Sequence, residues 1–268
     1  MVLGKEVRLN RLFNKKSGNI LVVALDHAIG WGVLPGIDDI HKTMKKIVES
    51  GPDAITMLKG TAEKVFYPYA GTIPFILKCT TFAPYHPQYD ALVAGVDEAV
   101  RLGADGVAVG VTLCGEHQAQ LLTQLGMMVR EAENYGLPTI THIYPKGVGK
   151  ERQYDEEYVT YAARAAAELN IDIVKTYYTG DPESYRNVVR SCPSRLVVSG
   201  GPKLSNVREV FQMTFDAISA GARGVTYGRN IWQADDPVTM VGALKHIIHE
   251  KGTVEEALAI IESKKKKT

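Results

Sequence analysis

The sequence predicts a single-domain (β/α)8 barrel of the TIM type, and three observations carry that expectation. Eight short apolar runs enriched in β-branched residues recur along the chain, amphipathic stretches fill the intervals between them, and 268 residues suit one such barrel. Strands buried on both faces of a parallel sheet read as continuous apolar runs, which is the character of these segments. Near-strict alternation over eight units favours a closed barrel over an open doubly wound sheet.

Taken in order, the strand candidates are "NILVVALD" (19–26), "DAITMLK" (53–59), "IPFILK" (73–78), "DGVAVGV" (105–111), "LPTITHIY" (137–144), "IDIVKTY" (171–177), "RLVVSG" (195–200) and "GVTYG" (224–228). Helices are expected over 36–51, 89–104, 116–136, 155–170, 181–192, 205–222 and 236–252. Several of these end at Gly or Asn, where a left-handed residue closes a helix, and two open on Asp-Pro, a capping residue before a proline at the first helical position. The short link "GTAEKVFYPYAG" predicts a brief or irregular helix, and "HPQYD" (86–90) reads as loop. No linker divides the chain, so residues 1–268 form one domain. Residues 1–18 are expected to close the barrel bottom and 253–268 to form a C-terminal helix with a basic tail. The closing "ESKKKKT" reads as a solvated helix end, its lysines favourable near the negative pole of the helix dipole, rather than as a nucleic-acid tail.

Composition narrows the partners. With 45% hydrophobic and 23% charged residues the chain is an ordinary globular protein, and a net charge of +1 points away from nucleic acid or an anionic membrane. An anionic ligand would have to be bound locally. Cys79, Cys114 and Cys192 are odd in number and far apart, with no CxxC pair. The N-terminus lacks a secretory pattern, and no apolar run approaches the roughly 18 residues of a spanning helix. A cytoplasmic location is expected.

In a barrel of this kind chemistry gathers at the carboxyl ends of the strands. Those ends carry Asp26-His27, Lys59, Lys78, His142 and Tyr144, Lys175, Ser199-Gly200-Gly201 and Gly228-Arg229. Lys175 lies in a run of apolar residues, where desolvation lowers the pKa of an amine and leaves it able to attack a carbonyl. The alternative is a structural lysine that snorkels or pairs with an acid such as Asp26. Tyr144 precedes Pro145, which turns the chain outward, and its phenol either moves a proton in catalysis or simply packs with its hydroxyl in water. Asp26 ends a wholly apolar strand and needs a cationic partner, which Lys175 would supply. The turns "SGGPK" and "YGRN" follow the last two strands, where barrels build phosphate sites from backbone N–H groups, and Arg229 adds a bidentate donor. Either turn alone is also an ordinary tight turn. His27, His117 and His142 do not assemble a metal set by spacing, so no metal is expected.

These motifs together resemble a known family. "ALDHAIG", "YPKG", "IVKTYYTGDP" (173–182), "VVSGGPK" and "GRNIWQ", in this order, are similar to those of the archaeal-type class I fructose-bisphosphate aldolases and their relatives, within the broader group that includes deoxyribose-phosphate aldolase. The resemblance covers the chain from about Leu21 to its last helix. It implies a metal-free aldolase with Lys175 as the Schiff-base lysine, and with Tyr144 and Asp26 as proton-transfer groups. It also implies that Ser199, Gly200, Gly201, Gly228 and Arg229 hold a phosphate, with His27, His142 and Lys146 toward the rest of a phosphorylated keto-sugar. Fructose 1,6-bisphosphate, cleaved to dihydroxyacetone phosphate and glyceraldehyde 3-phosphate, is the first candidate. Relatives assemble into homo-oligomers, commonly decamers.

The sequence departs from the fructose-bisphosphate aldolases at Lys146, where an arginine is common, at His142, where an aromatic is common, and at Tyr177, where a second lysine stands. These changes spare the Schiff-base chemistry and bear on recognition of a second phosphate. Two relatives offer other reactions: 2-amino-3,7-dideoxy-threo-hept-6-ulosonate synthase, a transaldol-type enzyme, and the autoinducer-2 thiolase, which "GRNIWQADDPVTM" resembles but which lacks the "YPKG" tyrosine. A protein that binds a phosphorylated ligand without turning it over is the non-enzymatic alternative.

Overall fold

The computed structural model describes residues 3–265, in which the eight apolar runs close on one another as parallel strands. In chain order the strands are β1 (Ile20–Ala24), β2 (Ala54–Met57), β3 (Phe75–Lys78), β4 (Thr80–Ala83), β5 (His86–Leu92), β6 (Gly106–Thr112), β7 (Thr139–Tyr144), β8 (Ile173–Thr176), β9 (Arg195–Ser199) and β10 (Gly224–Tyr227). The barrel runs β1-β2-β3-β6-β7-β8-β9-β10 and returns to β1, while β4 and β5 form a separate antiparallel ribbon. The single-domain (β/α)8 expectation is borne out.

Because side chains along a strand alternate faces, each barrel strand divides its apolar residues between two compartments. Ile20, Val22, Ala54, Ile76, Ala108, Ile140, Ile173 and Val197 face inward and pack with Leu9 and Leu12 of the helix Leu3–Leu12. The intervening residues, such as Leu21, Val23, Ile55, Leu77, Val109 and Val174, join the larger core beneath the outer helices. Continued upward, the inward parity meets Thr56, Lys78, Gly110, His142, Lys175, Ser199 and Thr226, so the lumen is apolar at its amino end and polar at its carboxyl end. Burying one leucine in the lower layer is worth roughly 2 kcal/mol, which helps offset the cost of burying charge above it.

The helices follow from their local signals. Asp181 accepts a hydrogen bond from the Ser184 N–H before Pro182, and Asp236 accepts from Val238 and Thr239 before Pro237, so both Asp-Pro pairs open helices as expected. Gly51, at φ +61, closes the helix Ile40–Ser50. At the barrel bottom His249 lies 2.8 Å from the Ser17 hydroxyl through Nδ1 and 2.9 Å from Asp53 through Nε2. Asp53 also accepts the Leu21 N–H at 2.6 Å, which ties the last turn of a helix to the start of β1. The link between β2 and β3 is irregular, with a turn of π-helix over Ala62–Phe66 and a 3-10 turn over Tyr67–Tyr69. Of the basic tail, residues 266–268 lie outside the described residues.

One segment differs from expectation. Residues 86–90, read as loop, and the start of the helix expected over 89–104 instead form β5, and the helix is confined to Val96–Arg101. β5 pairs with β4 through Thr80↔Leu92, Thr81↔Ala91 and Ala83↔His86. The ribbon forms because Thr80 and Asp90 both find buried partners at the barrel mouth, a tertiary gain that overrides the helical spacing of "YDALVAGVDEAV".

Candidate active site

A cavity of about 520 Å³ opens at the carboxyl end of the barrel. Lys175 of β8, His142 and Tyr144 of β7, Asp26 beyond β1, Ser199 of β9 and Gly228-Arg229 beyond β10 all line it, together with Gly200, Gly201, His27 and Lys146. Every residue singled out at the strand ends for catalysis or phosphate binding is therefore gathered at one place. The parallel register sets His142 directly beside Lys175 and Ser199 beside Thr226. Lys59 is the exception among the polar strand ends: it pairs with Glu98 at 2.8 Å away from this cavity. A larger groove of about 1260 Å³ lies at the opposite, amino end of the strands, between the N-terminal helix and the segments leading into β2, β3 and β6.

Lys175 is 7% exposed, and among the described residues no hydrogen bond or ion pair holds its ammonium. Burial, opposed by the carboxylate of Asp26 and reinforced by the positive charges of Lys78 and Arg229, brings its pKa down to about 8. Roughly a tenth of the amine is then neutral at pH 7, a far larger fraction than for a lysine in water. The rate of adduct formation with a ketone should thus rise with pH through about 8 and then level off, as read by initial trapping rates. A rate still climbing tenfold per unit above pH 9 would contradict the assignment.

The neighbours of Lys175 are titratable groups held in a close, buried cluster. Burial, with Tyr177 and Asp26 adding to it, pushes the Tyr144 phenol well above its ordinary range, so it stays protonated, and its hydroxyl donates to Ser199 Oγ at 3.2 Å. Its ring stacks on Tyr177 at 4.5 Å, fixing the direction of the hydroxyl. Asp26 sits 3.6 Å from His27 Nδ1 and 3.9 Å from His142 Nδ1, with no ion pair to Lys175 within 4.0 Å. Burial holds the His27 pKa down to about 4 and drives His142 well below its usual value, so at neutral pH both imidazoles are uncharged. The carboxylate thus lacks the close ammonium partner expected from the sequence and acts on Lys175 at longer range.

On the far side, Arg229 Nη2 donates to the Gly201 carbonyl at 2.8 Å, and its buried Nε has no partner. Gly201 has φ +62, a left-handed conformation that favours glycine, and its N–H has no acceptor among the described residues. Asn230, 4% exposed, holds the same loop by donating to the Gly200 and Pro202 carbonyls and accepting the Leu204 N–H. The arrangement leaves N–H donors free at the cavity wall.

A model of the DeoC/LacD aldolases matches residues 20–234. The chain belongs to this family. It is 32% identical to 2-amino-3,7-dideoxy-D-threo-hept-6-ulosonate synthase of Halobacterium salinarum over 96% of each chain. It is 33% identical to 3-hydroxy-5-phosphonooxypentane-2,4-dione thiolase of Escherichia coli, covering 98% of this chain and 88% of the thiolase. Among solved structures, an archaeal fructose-1,6-bisphosphate aldolase with its catalytic lysine bound to the carbinolamine intermediate of the substrate superimposes with a TM-score of 0.84 at 29% identity. That match covers 92% of this chain and 99% of the aldolase. The family resemblance read from the motifs is thereby borne out. Among the described residues no helix is long and apolar enough to cross a membrane.

For this DeoC/LacD member, the structure adds residues that sequence reasoning passed over. Lys78, named only as a polar strand end, is 5% exposed; its ammonium donates to Thr80 Oγ1 at 2.6 Å and lies 3.8 Å from Asp90, itself 5% exposed. Thr80 Oγ1 also accepts the Gly110 N–H. The pair occupies the space in front of Gly110, where an added Cβ would fall 1.9 Å from Asp90 Oδ1 and 2.9 Å from Lys78 Nζ. Gly110→Ala should therefore lower stability by about 3 kcal/mol, since it drives apart a buried ion pair. Thermal unfolding reads the loss; an unchanged Tm would show that the space is not filled in this way.

Proposed function

We propose that this chain is a class I aldolase that makes or breaks a carbon–carbon bond in a phosphorylated ketose through a Schiff base on Lys175. The observation that carries this reading is the buried, partner-free Lys175 amine at the cavity wall, with its pKa near 8. The other three lysines lining the cavity are less suited: Lys78 is bonded to Thr80 and paired with Asp90, Lys146 rests over the rings of Phe82 and Tyr144, and Lys150 is exposed to water, which favours its charged form. The neutral amine adds to the keto carbonyl, the carbinolamine loses water, and the iminium accepts the electron pair released when the carbon–carbon bond breaks. The Tyr144 phenol, which burial keeps protonated at neutral pH, supplies a proton to the departing hydroxyl, and Asp26 accepts one in the same proton traffic. The resulting enamine is protonated and hydrolysed, freeing the ketone phosphate and the amine.

The phosphate is held, in this reading, by Ser199, the loop at Gly200 and Gly201, Gly228 and Arg229. The Gly201 N–H and the Arg229 Nε, both without a partner among the described residues, support an anion there, while the Gly200 N–H is already given to the Thr226 carbonyl. Replacing Arg229 with Ala should raise KM for phosphorylated substrates by about 10- to 100-fold with little change in kcat, because the contact exists in ground and transition states alike. An unchanged KM would remove the phosphate assignment.

Fructose 1,6-bisphosphate is the proposed substrate, and release of dihydroxyacetone phosphate and glyceraldehyde 3-phosphate from it is the direct test. A second reading, transfer of the enamine carbon to another acceptor, is favoured by the near-complete coverage of the heptulosonate synthase. Turnover that requires an added acceptor aldehyde, with no cleavage of fructose 1,6-bisphosphate alone, would select that reading instead.

A further inference from the structure

Around the mouth of the cavity cations and aromatic faces alternate. The guanidinium carbon of Arg229 lies 5.2 Å from the centroid of Trp31, and Trp31 meets Phe82 of β4 edge-to-face at 5.3 Å and 83°. The Lys146 ammonium stands 4.7 Å from the Phe82 centroid on the next side of the belt. Trp31 is 51% exposed, so hydrophobic burial accounts for only part of its presence in the short helix Ala28–Trp31. Its neighbour Gly30 makes the packing possible: a Cβ there would fall 2.7 Å from Phe82 Cζ.

Arg229 has one bond that fixes it, from Nη2 to the Gly201 carbonyl, and a single bond leaves the guanidinium plane free to swing. The face of Trp31 removes that freedom. We propose that Trp31, buttressed by Phe82, is a positioning residue for the phosphate end of the substrate, holding the Arg229 guanidinium so that its unused donors meet the anion. The β4–β5 ribbon thereby takes part in substrate selection without contributing a group to the chemistry. The inference rests on the phosphate reading of Arg229 and is independent of the Schiff-base step.

The test uses inorganic phosphate as the probe, titrated calorimetrically into the full chain and into Trp31→Ala, Trp31→Phe and Gly30→Ala. It is paired with borohydride trapping rates for dihydroxyacetone phosphate and for unphosphorylated dihydroxyacetone. Trp31→Ala should weaken phosphate binding about 3- to 30-fold, the range a cation–π contact spans, and raise KM for the phosphorylated ketone alike with kcat unchanged. Trapping of dihydroxyacetone should be unaffected. Trp31→Phe should recover most of the affinity, and Gly30→Ala, which displaces Phe82 from outside the cavity, should lose part of it. The proposal is overturned if phosphate affinity ignores Trp31 or is absent from the unaltered chain, if both ketones are trapped equally poorly by Trp31→Ala, or if Trp31→Phe recovers nothing. Trp31-dependent phosphate binding without trapping of either ketone would sink the aldolase reading alone.

Discussion

Lys175→Met is expected to yield a folded barrel that forms no adduct with any keto phosphate and loses at least about a thousandfold in turnover. Methionine has a similar length and no charge, so the substitution keeps the packing of a 7% exposed site and removes a buried ammonium that no close partner compensates. Stability should stay level or rise. The reaction cannot move to a neighbour: Lys78 is held by Thr80 and Asp90, Lys146 projects from the loop after β7 over Phe82 and Tyr144, and Lys150 is exposed to water, where an amine stays charged. Retained turnover in a variant whose Tm matches the unaltered chain would remove Lys175 from its role.

Tyr144→Phe separates binding of the ketone from proton transfer. The ring stacked on Tyr177 at 4.5 Å survives the substitution, and only the hydroxyl that donates to Ser199 is lost. Schiff-base formation should persist, measured by trapping, while cleavage slows by roughly a hundredfold or more. The effect is large because the phenol stays protonated at neutral pH and because the two histidines nearest Asp26 are poor substitutes, both being held neutral by burial. An undiminished cleavage rate would mean that the proton passes through another group.

The strands were legible in the sequence because parallel strands buried on both faces leave an unmistakable local record, and each of the eight runs became a barrel strand. The candidate site was legible for a related reason. A charged residue at the end of an apolar run, as at Asp26 and Lys175, conflicts with its surroundings, and such conflicts gather at functional positions. The β4–β5 ribbon was not legible. Pro84 and Pro87 argue locally against a strand, yet an isolated ribbon at the barrel mouth tolerates proline, and the burial of Asp90 makes sense only once Lys78 lies across from it. The same holds for Gly110, whose missing side chain is needed for contacts distant in sequence. Asp26 is the instructive partial case: its need for company was visible, but its nearest neighbours are His27 and His142 rather than the ammonium of Lys175.

Four lysines line one cavity, and the account depends on which of them reacts. Borohydride reduction of the unaltered protein in the presence of dihydroxyacetone phosphate, followed by peptide mapping, decides this directly. The account predicts a single reduced adduct on the peptide containing Lys175. An adduct on Lys78, Lys146 or Lys150 instead, or no adduct with any keto phosphate, would contradict it.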